Sequence, residues 1–201
     1  MKVLIAGDFL DQLVDALAGR GDELVVIESN HELTLDFMKK FNFELAIFCC
    51  YELVVKSDIV ESIHCINIHF SILPYGRGPE PLLASWINGE PIGITIHEMT
   101  RDVDCGPIIV QTECPMGADD VSLESSFDFL IETSANLMMN WWEVIKNKTY
   151  TPIQQSGEGS FHTYKQVEPI FDLAVKYGKL PVSQLLKQIS AEHPDFRLKN
   201  M

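Results

Sequence analysis

The chain has 201 residues, a size that fits one domain and can bury a core without disulfide or metal cross-links. Hydrophobic residues make up 46% and charged residues 22%, values that are typical of a globular protein and exclude an intrinsically disordered one. The net charge of −14 argues against a nucleic-acid partner, because a phosphate backbone binds a positive surface, but it leaves a small phosphorylated substrate open.

The sequence shows no sign of membrane insertion or secretion. No apolar run approaches the roughly 20 residues of a membrane-spanning helix, and the N-terminal segment turns acidic at Asp8, too early for a signal peptide. The odd number of cysteines and the lack of C-x-x-C spacing predict reduced thiols, a cytoplasmic location and no metal site. The cysteines are Cys49, Cys50, Cys65, Cys105 and Cys114.

The first half of the chain alternates short apolar runs with amphipathic segments. This pattern predicts a parallel sheet that is connected by right-handed crossovers and covered on both faces. The predicted strands are 2–6, 23–28, 44–49 and 64–70, and the predicted helices are 9–18, 33–41 and 59–63.

The second half begins with a loop rich in proline and glycine over 71–81 and a short helix over 81–88 that Gly89 ends. Two strands follow, which can add to the sheet as an antiparallel pair. Ser122 is the expected N-cap of a long helix with an apolar stripe to residue 145, and Pro181 is expected early in the last helix. The predicted strands are 92–97 and 107–114, and the tail helices are 167–176 and 182–189.

The expected fold is therefore α/β: a Rossmann-like, mostly parallel sheet with helices on both faces, a long C-terminal helix and a short helical tail. We expect a catalytic domain over 1–165 and a tail over 166–201 packed on it. Gly7 ends the first strand without a following G-x-G-x-x-G, and neither a phosphate-binding loop nor a G-x-S-x-G motif occurs. These absences disfavour NAD enzymes, nucleoside triphosphatases and ordinary serine hydrolases.

Two polar groups could carry chemistry. Asn67 and His69 lie two residues apart on one strand, so they share a face near its C-terminal end, where open α/β sheets bind ligands. A hydrogen-bonded polar strand end explains this pair equally well. The second group, Asp102 to Gly106, is by itself most simply an Asx turn.

Together with a third block, these groups resemble the folate-dependent formyltransferases. Residues 66–74 (INIHFSILP) resemble the family's Asn-x-His followed by Ser-Leu-Leu-Pro. Residues 93–97 (GITIH) resemble Gly-Val-Thr-Ile-His, and residues 104–111 (DCGPIIVQ) resemble Asp-x-Gly-x-Ile-Ile-x-Gln. The three blocks occur in the family's order and at about its spacing.

The resemblance implies that Asn67, His69 and Asp104 are the catalytic residues. It implies transfer of a formyl group from 10-formyltetrahydrofolate to a primary amine, without a metal. An amide N–H and a protonated imidazole can both donate to the oxyanion that develops, and a carboxylate beside the imidazole favours its charged form. His69, Asp104 or a held water could carry the protons.

The resemblance also places the pterin of the folate between two loops, 48–54 and 97–104. Ordinary loop packing of Tyr51 and Leu53, or a structural role for His97, would explain those residues as well. The expected folate contacts are Phe48, Tyr51, Glu52, Leu53, Val54, His97, Thr100, Arg101 and Asp102.

The acceptor follows by elimination among the family's members. Residues 7–10 lack the glycine- and serine-rich loop of the glycinamide ribonucleotide enzymes. The acidic composition leads us to expect no counterpart of the basic C-terminal domain of the methionyl-tRNA enzymes. We expect a nucleotide-linked amino sugar, with Tyr75 and Arg77 as substrate contacts. Another small amine, such as an amino-acid derivative, or a non-catalytic folate-binding homologue are the alternatives. A homodimer is possible, and neither a nucleic acid nor a membrane is expected as a partner.

Overall fold

The computed structural model describes residues 1–194 and 196. Its strands are β1 (Lys2–Gly7), β2 (Glu23–Ile27), β3 (Leu45–Cys49), β4 (His64–His69), β5 (Gly93–Glu98) and β6 (Ile108–Glu113). Its helices are α1 (Asp11–Leu17), α2 (Leu35–Lys40), α3 (Ser57–Ser62), α4 (Pro81–Asn88), α5 (Leu123–Lys146), α6 (Tyr164–Tyr177) and α7 (Val182–Glu192).

The six strands form one sheet in the order β2-β1-β3-β4-β5-β6. Strands β1 to β4 are parallel, whereas β5 runs antiparallel to β4. The chain passes from β1 to β2 in one direction along the sheet, and from β2 to β3 and on to β4 in the other. Because parallel crossovers are right-handed, α1 lies on one face of the sheet and α2 and α3 lie on the other. The predicted Rossmann-like fold is confirmed.

The pair β5 and β6 is antiparallel, as the sequence allowed. The N–H of Glu98 donates to the carbonyl of Pro107 at 2.9 Å, and the N–H of Cys114 donates to the carbonyl of Ile92 at 2.8 Å. The residue numbers of these partners run in opposite directions, which is the antiparallel arrangement.

The chain forms two compact units, and several elements contribute to both. The first contains Met1–His69, Thr95–Val110 and Ile131–Gln155. The second contains Phe70–Ile94, Gln111–Leu130 and the described residues from Ser156 onward. The predicted boundary after residue 165 falls in the first turn of α6, and the division into a catalytic domain and a tail stays a prediction.

The core of the first unit lies on one face of the sheet. Leu4, Ala46 and Cys65 come from three neighbouring strands and pack with Met38 of α2 and Ile59 of α3. Burial raises the pKa of the Cys65 thiol to about 12. Because alternate residues of a strand share a face, the positions after Cys65 on this face of β4 are 67 and 69.

The core of the second unit joins α4 to the two tail helices. Leu83 of α4 packs with Ile170 and Leu173 of α6 and with Leu185 and Ile189 of α7. The apolar stripes that predicted the tail helices are therefore the surfaces that they bury.

Helix ends differ from the prediction where capping was not recognised. Helix α6 begins three residues early, because Thr163 and Gln166 form a capping box. Pro181 lies just before α7 rather than inside its first turn. The predicted cap of α5 is confirmed, since the Ser122 hydroxyl accepts a hydrogen bond from the N–H of Ser125 at 3.0 Å.

In the described part of the chain, no helix combines the length and the apolar character that a membrane crossing requires.

A buried carboxylate ties the sheet of the first unit to α5. Asp22 accepts hydrogen bonds from Trp142 Nε1 at 3.2 Å, from Lys146 Nζ at 2.8 Å and from the α-amino group of Met1 at 2.8 Å. Its side chain is fully shielded from solvent. Burial alone would raise the pKa of Asp22, but the hydrogen bonds from Lys146, the α-amino group and Trp142 outweigh burial and lower the pKa.

We expect Asp22→Asn to lower Tm by about 4 °C at pH 7, because charged hydrogen bonds are lost from a buried site. Because the pKa of Asp22 is lowered by folding, its stabilisation is present above the ordinary value of 3.8 and is lost as the pH falls below it. Thermal unfolding at pH 7 and near pH 3.5 measures both effects. Asp15→Asn, on the exposed side of α1, is the matched control. Equal Tm values for the two variants at pH 7 would contradict this role of Asp22.

Candidate active site

The polar face at the end of β4 is built by the pairing of β4 with β5. Asn67 lies directly opposite His97, and His69 lies opposite Thr95. Opposed residues of an antiparallel pair project to the same side, so these four side chains form one polar patch. This patch continues the core face that includes Cys65, whereas Ile66 and Ile68 point to the other face.

Asp104 brings these side chains together at a single carboxylate oxygen. Its Oδ1 atom lies 3.3 Å from Asn67 Nδ2, 3.7 Å from His69 Nδ1 and 3.7 Å from His97 Nε2. The rings of His69 and His97 are nearly perpendicular, with centroids 6.2 Å apart. The structure thus assembles the three predicted catalytic residues and adds His97 to them.

The cluster is shielded from solvent. His69 is 5% exposed, His97 is 1% exposed, and the Asp104 side chain is 11% exposed. Electrostatic interactions between these groups are therefore much stronger than they would be in water.

His97 has a defined tautomer in its neutral form. Its Nδ1 lies 2.8 Å from the carbonyl of Glu98, and because a carbonyl only accepts, Nδ1 carries the proton. Its Nε2 is then an acceptor that faces Asn67 Nδ2 at 3.4 Å. His97 and Asp104 together orient the Asn67 amide.

The loop that carries Asp104 is held by a residue that the sequence analysis did not identify. The side-chain amide of Gln155 donates to the carbonyl of Asp104 at 2.9 Å and to the carbonyl of Gly106 at 2.8 Å. Asp104 itself has a φ of 53°, a left-handed conformation that is uncommon for a residue other than glycine. Two hydrogen bonds from one amide stabilise this unusual backbone.

Gly106 is required for the same loop to approach β5. A Cβ atom at this position would lie 1.7 Å from the carbonyl oxygen of Glu98 and 3.4 Å from His97 Nδ1. Any other residue would push the loop away from the strand, and Asp104 would move with it.

The first predicted folate loop combines buried and exposed side chains. Phe48 is in the core and contacts Tyr51, with ring centroids 5.2 Å apart. The Tyr51 hydroxyl donates to the carbonyl of His31 at 2.5 Å, and burial raises the pKa of this phenol. Leu53 is 39% exposed and Val54 is 80% exposed.

Part of this loop borders an open cavity of about 210 Å³ in the first unit. Tyr51, Leu53 and Val54 line it together with Glu32 and Lys56, which form an ion pair of 2.6 Å. Glu52, from the same loop, is exposed and does not line the cavity.

The second predicted folate loop is largely exposed. The Thr100 hydroxyl donates to the carbonyl of Asp102 at 3.1 Å, and both residues are exposed. Arg101 forms an ion pair with Glu61 of α3, and this contact lowers the pKa of Glu61. The structure therefore places His97 in the polar cluster around Asp104 and the other residues predicted from this loop at the surface.

The predicted substrate residues Tyr75 and Arg77 lie in the second unit. The N–H of Arg77 donates to the carbonyl of Ser160, and the carbonyl of Arg77 accepts from the N–H of His162, both at 3.1 Å. Tyr75 is 38% exposed, and its carbonyl accepts from the Ser71 hydroxyl at 2.6 Å. Backbone pairing therefore holds this loop in place.

Comparisons with known proteins agree with these features. Residues 27–140 match the family model described as formyl transferase. The formyltransferase PseJ from Anoxybacillus kamchatkensis has a structure in complex with UDP-4,6-dideoxy-4-formamido-L-AltNAc and tetrahydrofolate. It is 30% identical, with 92% of this chain and 97% of PseJ covered and a TM-score of 0.82.

Two curated relatives differ in their acceptors. The dTDP-4-amino-4,6-dideoxyglucose formyltransferase of Mycobacterium bovis is 28% identical over 167 residues, which cover 83% of this chain and 70% of that enzyme. The methionyl-tRNA formyltransferase of Thermodesulfovibrio yellowstonii is 33% identical over 124 residues, covering 60% of this chain and 40% of that enzyme. The resemblance drawn from three sequence blocks is confirmed, and because the family model matches more than half of the chain, this chain belongs to the formyl transferase family.

Proposed function

We propose that this chain is an N-formyltransferase that moves a formyl group from 10-formyltetrahydrofolate to the primary amine of a nucleotide-linked amino sugar. The proposal rests on one observation: Asn67 Nδ2 and His69 Nδ1 lie 3.3 Å and 3.7 Å from the same shielded carboxylate oxygen of Asp104. The similarity to PseJ, which covers nearly all of both chains, supports the acceptor class.

Asn67 and His69 supply the donors for the reaction. Attack of the amine nitrogen on the formyl carbon moves negative charge onto the formyl oxygen. A protonated His69 ring beside Asp104 can donate to this oxygen. An Asn67 N–H can donate to it as well when the oxygen takes the place of His97 Nε2 or Asp104 Oδ1, the two acceptors that the amide faces.

Asp104 takes part in the proton transfers and also positions the neighbouring side chains. The attacking amine must lose a proton, and the folate nitrogen must gain one as its bond to the formyl carbon breaks. A carboxylate within reach is a suitable general base for the first transfer, and the proton that it takes can pass on to the leaving nitrogen. Because the same oxygen faces both imidazoles, it also stabilises a positive charge on His69 while the oxyanion forms. His97 acts through Asn67 and Asp104 as a positioning residue.

The loops of the first unit fit a folate. The exposed apolar side chains of Leu53 and Val54 on the first loop, and of Val103 next to Asp104, can cover a planar ring, while loop backbone groups bind its polar edge. The bound folate would supply the formyl group.

The acceptor must be recognised by local contacts. With a net charge of −14, the overall field does not attract an anionic nucleotide, so short-range donors have to bind its phosphates. We assign Tyr75 and Arg77, on the loop held by Ser160 and His162, to the acceptor. The cytoplasmic location and a homodimer stay predictions of the sequence.

A side-by-side formylation assay tests the acceptor. We expect a formamide product, detected by mass spectrometry, from 10-formyltetrahydrofolate with a UDP- or dTDP-linked 4-amino sugar. We expect none from methionyl-tRNA. A tRNA acceptor should also show an affinity that falls steeply with salt, because each neutralised phosphate releases counterions. Preferential formylation of methionyl-tRNA would overturn the acceptor, and folate binding without transfer to any amine would indicate a non-catalytic homologue.

The roles of the catalytic residues predict a kinetic signature. We expect His69→Asn and Asp104→Asn each to lower kcat by about 10²–10³-fold. The first variant loses a hydrogen-bond donor to the transition state, and the second loses the carboxylate that stabilises the positive charge of that donor. Steady-state kinetics and far-UV circular dichroism of the same samples measure activity and folding. The controls are His31→Asn and Asp119→Asn, which lie outside the cluster at exposed positions. Near-normal kcat in either cluster variant would refute the assigned role.

The geometry of Gln155 predicts an effect on turnover without loss of the fold. We expect Gln155→Ala to lower kcat roughly tenfold with little change in the KM for the amine, because a small displacement of Asp104 misplaces a reacting group. Gln154→Ala changes the exposed neighbour of the same type and should keep wild-type kcat. If Gln155→Ala keeps its kcat, or if its Tm falls so far that the protein unfolds in the assay, the positioning role is wrong.

A further inference from the structure

The segment that follows α5 holds the loop between β5 and β6 at three places. Where the loop ends, Ile153 and Ile108 exchange two backbone hydrogen bonds of 2.8 Å. In its middle, the side-chain amide of Gln155 donates to the carbonyl of Asp104. Where it begins, the side chain of Tyr150 contacts the last residue of β5. Tyr150 is therefore one of three fixed points along the loop that carries the Asp104 carboxylate.

The hydroxyl of Tyr150 forms a bridge between strands β4 and β5. It donates to Glu98 Oε1 at 2.7 Å, and its oxygen lies 3.0 Å from His64 Nε2. Because a phenol has one proton and a carboxylate only accepts, the phenol oxygen accepts from a protonated Nε2 of His64. The rings of His64 and Tyr150 are stacked, with centroids 6.4 Å apart. Burial and the hydrogen bond to Glu98 raise the pKa of Tyr150, so the phenol keeps its proton at neutral pH.

This bridge lies on the face of the sheet opposite to the candidate active site. Glu98 is paired with Ile66, and paired residues of an antiparallel ladder project to the same side. Asn67 and His97 form the next pair, so their side chains project to the other side. Tyr150 therefore does not touch a substrate at the polar cluster, and its effect on a reaction there passes through the backbone of β5.

The backbone of Glu98 is in direct contact with the cluster and its loop. Its carbonyl accepts from His97 Nδ1 at 2.8 Å, and its N–H donates to the carbonyl of Pro107 at 2.9 Å. A Cβ atom on Gly106 would lie 1.7 Å from the same carbonyl oxygen, so strand and loop are tightly packed here. A shift of Glu98 would therefore move the acceptor that orients His97 and the base of the loop that carries Asp104.

We propose that Tyr150 is a positioning residue for formyl transfer, which it supports by bridging His64 and Glu98 behind the sheet. The bridge fixes the end of β5, and with it the His97 ring and the Asp104 loop. This role rests on the proposed function, whereas the bridge itself belongs to the protein without substrate. A misplacement of about 1 Å at a reacting group slows a reaction by up to about 100-fold, so loss of the bridge has a measurable effect.

The hydroxyl of Tyr150 can be removed while its ring is kept. We expect Tyr150→Phe to lower kcat about fivefold and to leave the KM for the amine and the Tm nearly unchanged, because no substrate contact is lost. Tyr164→Phe, at an exposed tyrosine that begins α6, is the matched control and should keep wild-type kcat. Wild-type kcat in Tyr150→Phe, or an equal fall in Tyr164→Phe, would overturn the proposal.

The carboxylate at the other end of the bridge tests how Tyr150 acts. Glu98→Gln keeps an oxygen that accepts from the phenol and should retain most of the wild-type kcat, whereas Glu98→Ala should lose as much as Tyr150→Phe. Because both losses break one bond, the double variant Tyr150→Phe/Glu98→Ala should be no slower than the slower single variant. Multiplied losses in the double variant, or equal losses in Glu98→Gln and Glu98→Ala, would contradict the bridge.

If one single variant is too unstable to assay, the other tests the same bond from its opposite end. Unfolding of both Tyr150→Phe and Glu98→Ala under assay conditions would show a purely structural role and end the proposal.

Hydrogen exchange without substrate separates this proposal from the proposed function. In Tyr150→Phe, the N–H groups of Glu98 and Met99, which are bonded to neighbouring backbone carbonyls, should exchange several-fold faster. The N–H of Ala18, at the end of α1, should exchange as in the wild type. Unchanged exchange at Glu98 and Met99 would overturn the proposal. Faster exchange in a chain that transfers no formyl group would confirm the bridge and overturn the proposed function, and with it the role of Tyr150 in the reaction.

Discussion

The pairing of β5 against β4 is the constraint on which the candidate active site depends. Because Asn67 is opposite His97 and His69 is opposite Thr95, one register places four polar side chains on one face of the sheet. A shift of one residue would turn His97 away and bring an isoleucine to the site. The strand that breaks the parallel order of the sheet is therefore the strand that completes the polar cluster.

A buried negative charge then organises the cluster. The Asp104 carboxylate is shielded from solvent, so it must be compensated by groups that donate to it or carry positive charge. Asn67 donates to it, and Nδ1 of His69 lies 3.7 Å from it. In the proposed reaction, this carboxylate would stabilise a positive charge on the His69 ring while the formyl oxygen becomes negative.

Much of the sheet, and half of the site, could be predicted from local pattern. Period-two alternation predicted that Asn67 and His69 share a face, and the structure confirms it. Asp104 was an ordinary turn residue by pattern and gained a role only from the resemblance. No local sequence pattern identified Gln155 or Asp22 as important, because each forms its hydrogen bonds with residues that are distant in sequence.

The acidic composition limits how this chain can hold anionic ligands. Several of its cations already face carboxylates, among them Lys56 with Glu32 and Arg101 with Glu61. Each such pair cancels a positive charge within a few ångströms, so it contributes little to the field at a distance. A nucleotide phosphate therefore has to find directed donors, and backbone N–H groups suit this need because they carry no net charge. An enzyme of this charge selects its acceptor by contact geometry rather than by attraction at long range, which favours a small rigid substrate over an extended polyanion.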